Sequence, residues 1–189
     1  MKLKIIANNA INFGVKRVIE ILGIGITSLG LLLLISLLSF SPDDPNFIFP
    51  DNKPIINFLG FYGSFTADIF FQSFGRIALL IPFSLILSGI SIFLNKKILI
   101  IIESLFYSVL YSFFGSLFFS FYYPDTFELY INGSGGFIGN YLESTFINSI
   151  ININLQVFYF ILVLLILTFF LISIQFKINF FYRFIKKIF

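Results

Sequence analysis

The sequence has no cysteine, no histidine and no tryptophan, and only 11% of its 189 residues are charged. Without cysteine the chain forms neither disulfides nor thiolate metal sites, and without histidine it lacks the commonest general base and zinc ligand. We therefore expect no catalytic residues, no cofactor-binding residues and no metal ligands, and hence no enzyme activity. A soluble domain has about 25% charged residues, so the scarcity of charge also argues against a water-soluble fold.

Apolar residues make up most of the chain: 58% are hydrophobic, 30 are phenylalanine, and the mean hydropathy is +1.00. The net charge of +3 comes from basic residues that lie beside the apolar runs. Topology signals and lipid head groups account for basic residues in that position. The composition therefore predicts an all-α membrane protein whose nearest partners are membrane lipids, and it gives no support for direct contact with nucleic acid.

Four apolar runs are long enough to cross a membrane as helices, which takes about 20 residues. The first run is longer than a signal-peptide core of about 7–15 residues, and Pro42 and Pro45 stop the helix after it. The predicted spans are 21–40, 77–94, 98–119 and 157–174. They form a membrane domain, 21–175, between a cytoplasmic N-terminal segment, 1–20, and a basic cytoplasmic tail, 176–189.

The basic residues predict the orientation, because Lys and Arg near span ends are retained in the cytoplasm. Ten of the twelve basic residues lie before the first span, between the second and third, or after the fourth. Only Lys53 and Arg76 lie on the other side, together with most of the acidic residues. Both termini of this multi-pass membrane protein are therefore predicted to be cytoplasmic.

The tail alternates basic and aromatic residues from Phe176 to Phe189. Such a segment is typical of an amphipathic helix on the anionic inner leaflet. It serves either as a juxtamembrane anchor or as a partner-binding helix, and the anchor is the simpler interpretation.

The two outer loops share a glycine pattern. Gly60 and Gly63 open the segment 58–75, and Gly136 and Gly139 open the segment 136–150, with an offset of 76 residues for both glycines. Each segment has an apolar stripe at helical spacing: Phe61, Phe65, Ile69 and Phe70 in the first, and Ile138, Tyr141, Leu142 and Phe146 in the second. The pattern favours two hairpins, each with a short interfacial or re-entrant helix on the outer side, although chance in a Phe- and Ile-rich chain is the alternative.

Small residues recur within the spans, and in lipid they let helix backbones approach closely. They predict packing seams, either within one chain or between copies in a homo-oligomer. The candidates are Gly23, Ser28 and Gly30 in the first span, Ser84, Ser88 and Ser91 in the second, and Ser108, Ser112, Gly115 and Ser116 in the third.

Several charged residues lie in or beside the spans. Asp68 and Arg76 are two helical turns apart, so they either pair or each face water at the membrane edge. Glu20 follows Lys16 by four residues, which predicts an ion pair. Glu103 shares a helix face with Lys96 near the cytoplasmic end, where a charge is cheaper than at the centre of the bilayer.

Specific residues resemble a known family. The order Ser41-Pro42-Asp43-Asp44-Pro45 after the first span is followed by Asn57, Gly60, Gly63, Ala67-Asp68, Phe74-Gly75 and Pro82, and later by Gly135-Gly136-x-x-Gly139. This pattern resembles the N-terminal four-transmembrane region of the FtsK family of bacterial cell-division DNA translocases. The resemblance runs from about Arg17 to Ile174 and is more specific in the first half, since Ser64 replaces the family's usual Ala and the second half keeps little beyond its glycines.

The resemblance implies a membrane anchor and assembly module that acts in cell division and chromosome partition, possesses no catalytic activity by itself and sits at the septum in the bacterial plasma (inner) membrane. It implies homo-oligomers and contacts with division proteins or with a separate motor chain. The family's motor and DNA-reading domains have no counterpart in these 189 residues, which contain no phosphate-binding Gly-x-x-x-x-Gly-Lys-[Ser/Thr] motif.

Two other functions remain open from the sequence. A small transporter or channel subunit would need broken helices or paired buried charges in mid-membrane, and the sequence indicates neither. A structural subunit of another membrane complex is the third hypothesis.

Overall fold

The computed structural model describes residues 2–45, 54–124 and 132–176, with side chains from Ile11 onward. The regular elements of these ranges are all helical: α1 (Lys2–Leu38), α2 (Gly60–Phe74), a 3-10 segment (Gly75–Leu80), α3 (Ile81–Asn95), α4 (Leu99–Tyr122), α5 (Gly136–Glu143), α6 (Ile147–Ile151) and α7 (Leu155–Ser173). The predicted basic tail lies outside the described residues apart from Phe176.

Four stretches of the described chain are long and apolar enough to cross a membrane: Ile11–Leu38, Gly60–Asn95, Leu99–Tyr122 and Leu155–Ser173. This confirms the predicted fold class, an all-α membrane protein with four transmembrane helices. The predicted N-terminal segment and the first span form one continuous helix, α1. The second stretch is not a single straight helix, because Gly75 takes φ +68° and separates α2 from the 3-10 segment and α3.

Helix α1 packs antiparallel against α3 through glycines. A Cβ atom on Gly23 would lie 2.8 Å from the carbonyl oxygen of Gly89, and a Cβ on Gly30 would lie 2.9 Å from the backbone nitrogen of Ile86. Two of the predicted seam residues of the first span therefore contact α3, whereas the third, Ser28, is exposed. Gly89 was not singled out from the sequence, although it lies where the two backbones come closest to each other.

Helices α4 and α7 pack antiparallel through aromatic rings. The ring centroids of Tyr111 and Phe170 are 5.6 Å apart, and those of Phe118 and Tyr159 are 5.2 Å apart. At the far end the Tyr122 hydroxyl donates a hydrogen bond to the Leu155 carbonyl at 2.7 Å. Edge-to-face and tilted ring pairs of this kind add to packing beyond the area they bury.

The 3-10 segment joins the two pairs of helices. Ile77 packs in one apolar cluster with residues of α4 and α7, and the next residue, Ala78, packs in a second cluster with Leu33 and Leu37 of α1 and with α2. The break after Gly75 therefore places two consecutive side chains in two different cores.

Helix α4 buries a serine at every fourth position. Ser104, Ser108, Ser112, Ser116 and Ser120 are all 7% exposed or less, whereas Phe106 and Val109 are more than half exposed. A four-residue spacing keeps the serines near one face, and the large apolar side chains cover the other. This is the distribution expected in lipid, where small residues pack between helices and large apolar ones face the acyl chains.

Candidate functional site

The domain has two ends with different chemistry. The lysine end carries Glu20, Lys96, Glu103 and Gln175, and the loop end carries the segment after α1, helices α2 and α5, and the glycine-rich loop before α5. The residues that carry the family resemblance fall mainly at the loop end.

Asp44 is the centre of a buried polar cluster at the loop end. Its side chain is 3% exposed, and its two carboxylate oxygens accept hydrogen bonds from the backbone nitrogens of Ile56, at 2.8 Å, and Asn57, at 2.9 Å. A carboxylate that accepts backbone N–H groups makes hydrogen bonds about twice as strong as neutral ones. Asp44 therefore fixes the chain that enters α2 against the chain that leaves α1.

Asn57 connects this cluster to the C-terminal end of α1. Its Nδ2 donates to the carbonyl oxygens of Ser36, at 2.9 Å, and Ser39, at 3.3 Å, and its Oδ1 accepts from the Leu59 backbone nitrogen at 3.1 Å. Carbonyls of the last helical turn have no partner within the helix. Asn57 thus caps α1 from a position about twenty residues further along the chain.

Helix α2 is held to the same cluster by small residues. The Ser36 hydroxyl donates to the Gly63 carbonyl at 2.6 Å, and the Ser64 hydroxyl donates to the Pro45 carbonyl at 3.1 Å. A Cβ atom on Gly63 would lie 2.1 Å from Asn57 Oδ1, so a side chain there is excluded. The buried face of α2 consists of Gly63, Ser64, Ala67, Asp68 and Phe71, whereas Phe61 and Ile69 of the predicted apolar stripe are exposed.

Asp68 lies on this buried face. It is 6% exposed, and Gln72 Nε2 lies 3.5 Å from its Oδ1. The expectation that this carboxylate faces water is therefore wrong, and its polar neighbour is Gln72 rather than Arg76. Gln72 in turn accepts a hydrogen bond from Asn132 Nδ2 at 3.0 Å, which links α2 to the loop before α5.

A glycine junction, formed by Gly75 with Ser134, Gly135 and Gly136, closes the loop end. The Arg76 backbone nitrogen donates to the Ser134 carbonyl at 2.9 Å, and a Cβ on Gly75 would lie 1.9 Å from that same oxygen. A Cβ on Gly136 would lie 2.5 Å from the Gly75 backbone nitrogen. The loop therefore supplies an acceptor to the broken helix at a distance that only glycines allow.

The loop before α5 also packs against the serine face of α4. The Ser116 hydroxyl donates to the Phe74 carbonyl at 2.9 Å, and Cβ atoms on Gly135 or Gly139 would lie 2.6 Å or 2.4 Å from the Ser116 carbonyl oxygen. The Ser120 hydroxyl donates to Asn140 Oδ1 at 3.1 Å and also contacts the Glu143 carboxylate. Both segments of the predicted repeat thus meet at α4.

The offset glycines have similar backbone roles. Gly60 opens α2 at φ +65° and Gly136 opens α5 at φ +67°, and Gly63 and Gly139 each lie against a polar atom that leaves no room for a Cβ. The similarity ends there, because α2 has 15 residues and α5 has 8 residues, followed by the short α6.

At the lysine end, Glu20 connects α1 to the turn between α3 and α4. Its Oε1 lies 2.8 Å from Lys96 Nζ and its Oε2 lies 2.5 Å from Arg17 Nη1. The predicted partner, Lys16, is therefore wrong: Glu20 pairs with Arg17 in its own helix and with Lys96, which the fold brings close to it. Glu103, predicted to share a face with Lys96, accepts a hydrogen bond from Gln175 Nε2 at 3.0 Å.

Between the two ends, hydroxyl groups pair inside the domain. The Ser84 hydroxyl is hydrogen-bonded to the Tyr111 hydroxyl at 3.0 Å and to the Ser173 hydroxyl at 2.7 Å, and all three residues are fully buried. In lipid a buried hydroxyl without a partner is costly. This contact therefore ties α3, α4 and α7 together at one point.

The chemistry of these clusters is that of hydrogen bonding and close packing. The described residues contain no group of three or more acidic, cysteine or histidine side chains placed to hold a metal ion. The sequence indicated no broken helix, and the structure corrects this at Gly75, but the break lies at the loop end rather than in mid-membrane.

Comparison with known families identifies the domain. The family described as the 4TM region of DNA translocase FtsK/SpoIIIE matches residues 15–186. The chain belongs to this family. The matched FtsK/SpoIIIE 4TM region includes the Asp44 cluster, the glycine junction and the Glu20–Lys96 pair. No curated protein and no solved structure gives a significant match to the chain.

Proposed function

We propose that this chain is the membrane anchor and assembly module of an FtsK/SpoIIIE-type DNA translocase, and that it acts in cell division and chromosome partition without catalytic activity of its own. The observation that carries the proposal is the family match over residues 15–186, which includes the last three candidate spans whole and the first, Ile11–Leu38, from Val15 onward. A motor that pulls DNA needs a fixed point, and four spans resist extraction far better than a single lipid chain.

The internal contacts fit an anchor that must transmit force without coming apart. The Asp44 cluster ties α1 to α2, and the glycine junction ties α2 to α4 and α5. The Glu20–Lys96 pair ties α1 to the turn between α3 and α4, and the Ser84–Ser173 hydrogen bond ties α3 to α7. A pull applied at either terminus is therefore shared by several helices.

The proposed setting is the bacterial inner membrane, at the septum, with both termini in the cytoplasm. In its favour, the start of the first span, the turn between α3 and α4 and the end of the last span lie at one end of the domain, where Glu20 meets Lys96 and Glu103 meets Gln175. The basic residues that mark cytoplasmic loops concentrate at this end.

The septal role is tested with a fluorescent fusion of the full chain in dividing bacteria. We expect enrichment at midcell as constriction begins, and membrane insertion verified by resistance to alkaline extraction. A fusion that carries Gly25→Ala is the matched control, because nothing lies within 4 Å of a Cβ at Gly25. An inserted fusion that stays uniform around the envelope would contradict the septal role.

The proposed partners are division proteins, a separate motor chain and further copies of this chain, with no direct nucleic acid contact by this segment. A homo-oligomer is supported by Ser28, an exposed small residue of α1 that would let a second helix approach closely. Because the chain has no cysteine, Ser28→Cys should give a disulfide-linked dimer in membranes, and Leu164→Cys on the exposed face of α7 should not. Equal cross-linking at both positions would indicate random collision instead.

A further inference from the structure

A groove at the loop end combines one cation with an apolar floor. It is lined by Arg76, Ile77, Leu79, Leu80 and Phe119, with a volume of about 430 Å³. A second groove, between α1, α2 and α3, has a volume of about 370 Å³ and is lined by Leu, Phe, Tyr, Ser, Thr and Gly without a charged residue. The first groove therefore offers charge and apolar surface together, and the second offers apolar surface alone.

The depth of Arg76 places its guanidinium where lipid phosphates lie. From Arg76 to Asn95 the chain has 5 residues in the 3-10 segment and 15 in α3, which together rise about 32 Å. From Leu99 to Phe119, α4 rises about 30 Å. The hydrocarbon core of a bilayer is about 30 Å thick, so the groove opens near one head-group layer when Lys96 is near the other.

The shape of the groove matches a phospholipid in that position. Ile77, Leu79 and Leu80 lead from Arg76 along the 3-10 segment toward α3 and the bilayer interior, and Phe119 of α4 also lines the groove. A guanidinium carries five N–H donors in a planar fork that fits phosphate oxygens bidentately. It can therefore bind a phosphate in addition to its contacts within the protein.

We propose that this groove is a binding site for an anionic phospholipid, with the phosphate on Arg76 and one acyl chain along Ile77, Leu80 and Phe119. The site selects lipids by charge: a lipid with a net negative head group gains attraction from the guanidinium, and a zwitterionic lipid presents its own cation to it. The proposal is independent of the septal role, because it rests on the groove alone.

The absence of tryptophan gives a direct test. Phe119→Trp places a single fluorophore on the groove wall, and Tyr62→Trp places one in the uncharged groove as the matched control. Each full-length variant is reconstituted in phosphatidylcholine bilayers that contain brominated phosphatidylglycerol or brominated phosphatidylcholine at equal mole fraction. Bromine quenches a tryptophan that it contacts, so the quenching reports which lipid occupies each groove.

We expect brominated phosphatidylglycerol to be favoured about fivefold at Phe119→Trp, the ratio that corresponds to the usual contribution of one basic residue at an anionic membrane surface. We expect no preference at Tyr62→Trp. Adding Arg76→Gln to Phe119→Trp should abolish the preference, and Arg76→Lys should keep part of it. Equal quenching by both lipids at Phe119→Trp, or a preference unchanged by Arg76→Gln, would overturn the proposal.

Two further measurements test whether the site binds free phosphate instead of lipid and whether Arg76→Gln is folded. Soluble glycerol phosphate, added in millimolar excess, should leave the preference in place, whereas its loss would assign the site to a free phosphate and overturn the lipid site. Folding of Arg76→Gln is verified by its thermal transition in detergent. If that variant unfolds, the test uses Arg76→Lys alone. A folded Arg76→Lys with a reduced preference for brominated phosphatidylglycerol supports the site, and an unchanged preference refutes it.

Discussion

Two neighbouring carboxylates after α1 have different surroundings. Asp43 is exposed, whereas Asp44 is buried and accepts the backbone N–H groups of Ile56 and Asn57. In sequence they are equivalent acids between two prolines. The side chain that faces inward holds a turn together, and the other faces the head-group region or water.

Asp44→Ala should destabilise the domain, because it leaves the buried backbone N–H of Asn57 and the part-buried backbone N–H of Ile56 without their acceptor. A buried unsatisfied group costs about 1–3 kcal/mol, so we expect a loss of at least that size in the free energy of unfolding in detergent micelles. Asp43→Ala removes the same charge at the exposed neighbour and should cost under about 1 kcal/mol. Equal losses for both variants would contradict the role assigned to the Asp44 hydrogen bonds.

At the scale of single elements, the contact between α1 and α3 depends on where glycines meet. Gly89 faces Thr27 and Gly23 of α1, and a Cβ there would lie 2.4 Å from Thr27 Oγ1 and 2.7 Å from the Thr27 backbone nitrogen. Gly25 lies on the opposite, open side of α1. Substituting alanine at each glycine therefore distinguishes the effect of an added Cβ on packing from its effect on helix propensity.

We expect Gly89→Ala to destabilise the α1–α3 contact by about 1–3 kcal/mol, the usual cost of forcing extra volume into a packed contact. Gly25→Ala should be neutral or stabilising by up to about 1 kcal/mol, because alanine favours the helix and meets no neighbour. Thermal transitions of both variants in one detergent measure the difference. A neutral Gly89→Ala would show that the helices can separate without cost.

At the glycine junction between α2, α4 and α5, a glycine in a packed contact can again be compared with a glycine in open space. Gly75 combines a positive φ of 68° with a Cβ position only 1.9 Å from the Ser134 carbonyl, whereas Gly60 has φ +65° and open space. Gly60→Ala should therefore carry the backbone strain alone, about 1–2 kcal/mol. Gly75→Ala adds a clash with backbone that cannot rotate away.

Gly75→Ala should thus cost at least about 2 kcal/mol more than Gly60→Ala, the usual range for overpacking. The difference in unfolding free energy between the two variants is the measurement. Limited proteolysis should also cleave the loop before α5 faster in Gly75→Ala, because the junction holds that loop. Identical stability of the two variants would indicate that the 3-10 segment does not depend on the loop.

At the scale of the whole molecule, the domain has two ends, which we propose face opposite sides of the membrane. The Glu20–Lys96 and Glu103–Gln175 contacts define one end, and Tyr122–Leu155 and the glycine junction define the other. The basic residues predict that the first end is cytoplasmic.

Single cysteines test this assignment on a background that contains none. Lys97→Cys at the exposed turn should react with a membrane-impermeant maleimide only after the cells are opened, and Ser144→Cys, exposed after α5, should react in intact cells. A reagent that crosses the membrane should label both and serves as the control. The reverse pattern would invert the orientation and contradict the cytoplasmic placement of both termini.

Hydropathy was sufficient to predict the class of fold, and the resemblance of specific residues to a known family was sufficient to predict the family. The apolar runs gave four membrane helices, and the residues between Ser41 and Pro82 gave the FtsK resemblance, both confirmed. The sequence did not give the partner of Glu20, expected to be Lys16, nor the role of Gly89 or the break at Gly75. It left open whether the small residues of the first span face helices of the same chain or of another copy; Gly23 and Gly30 pack against α3, and Ser28 is exposed.

The sequence alone determined the number of membrane helices, because each apolar run partitions into lipid residue by residue and needs no partner to do so. The tertiary structure decided which backbones touch: Gly23 with Gly89, Gly75 with Ser134, and Glu20 with Lys96. These contacts join residues that are distant in the chain, and in lipid they depend on close fit rather than on hydrophobicity, which is nearly uniform along the spans. A local pattern therefore cannot identify them.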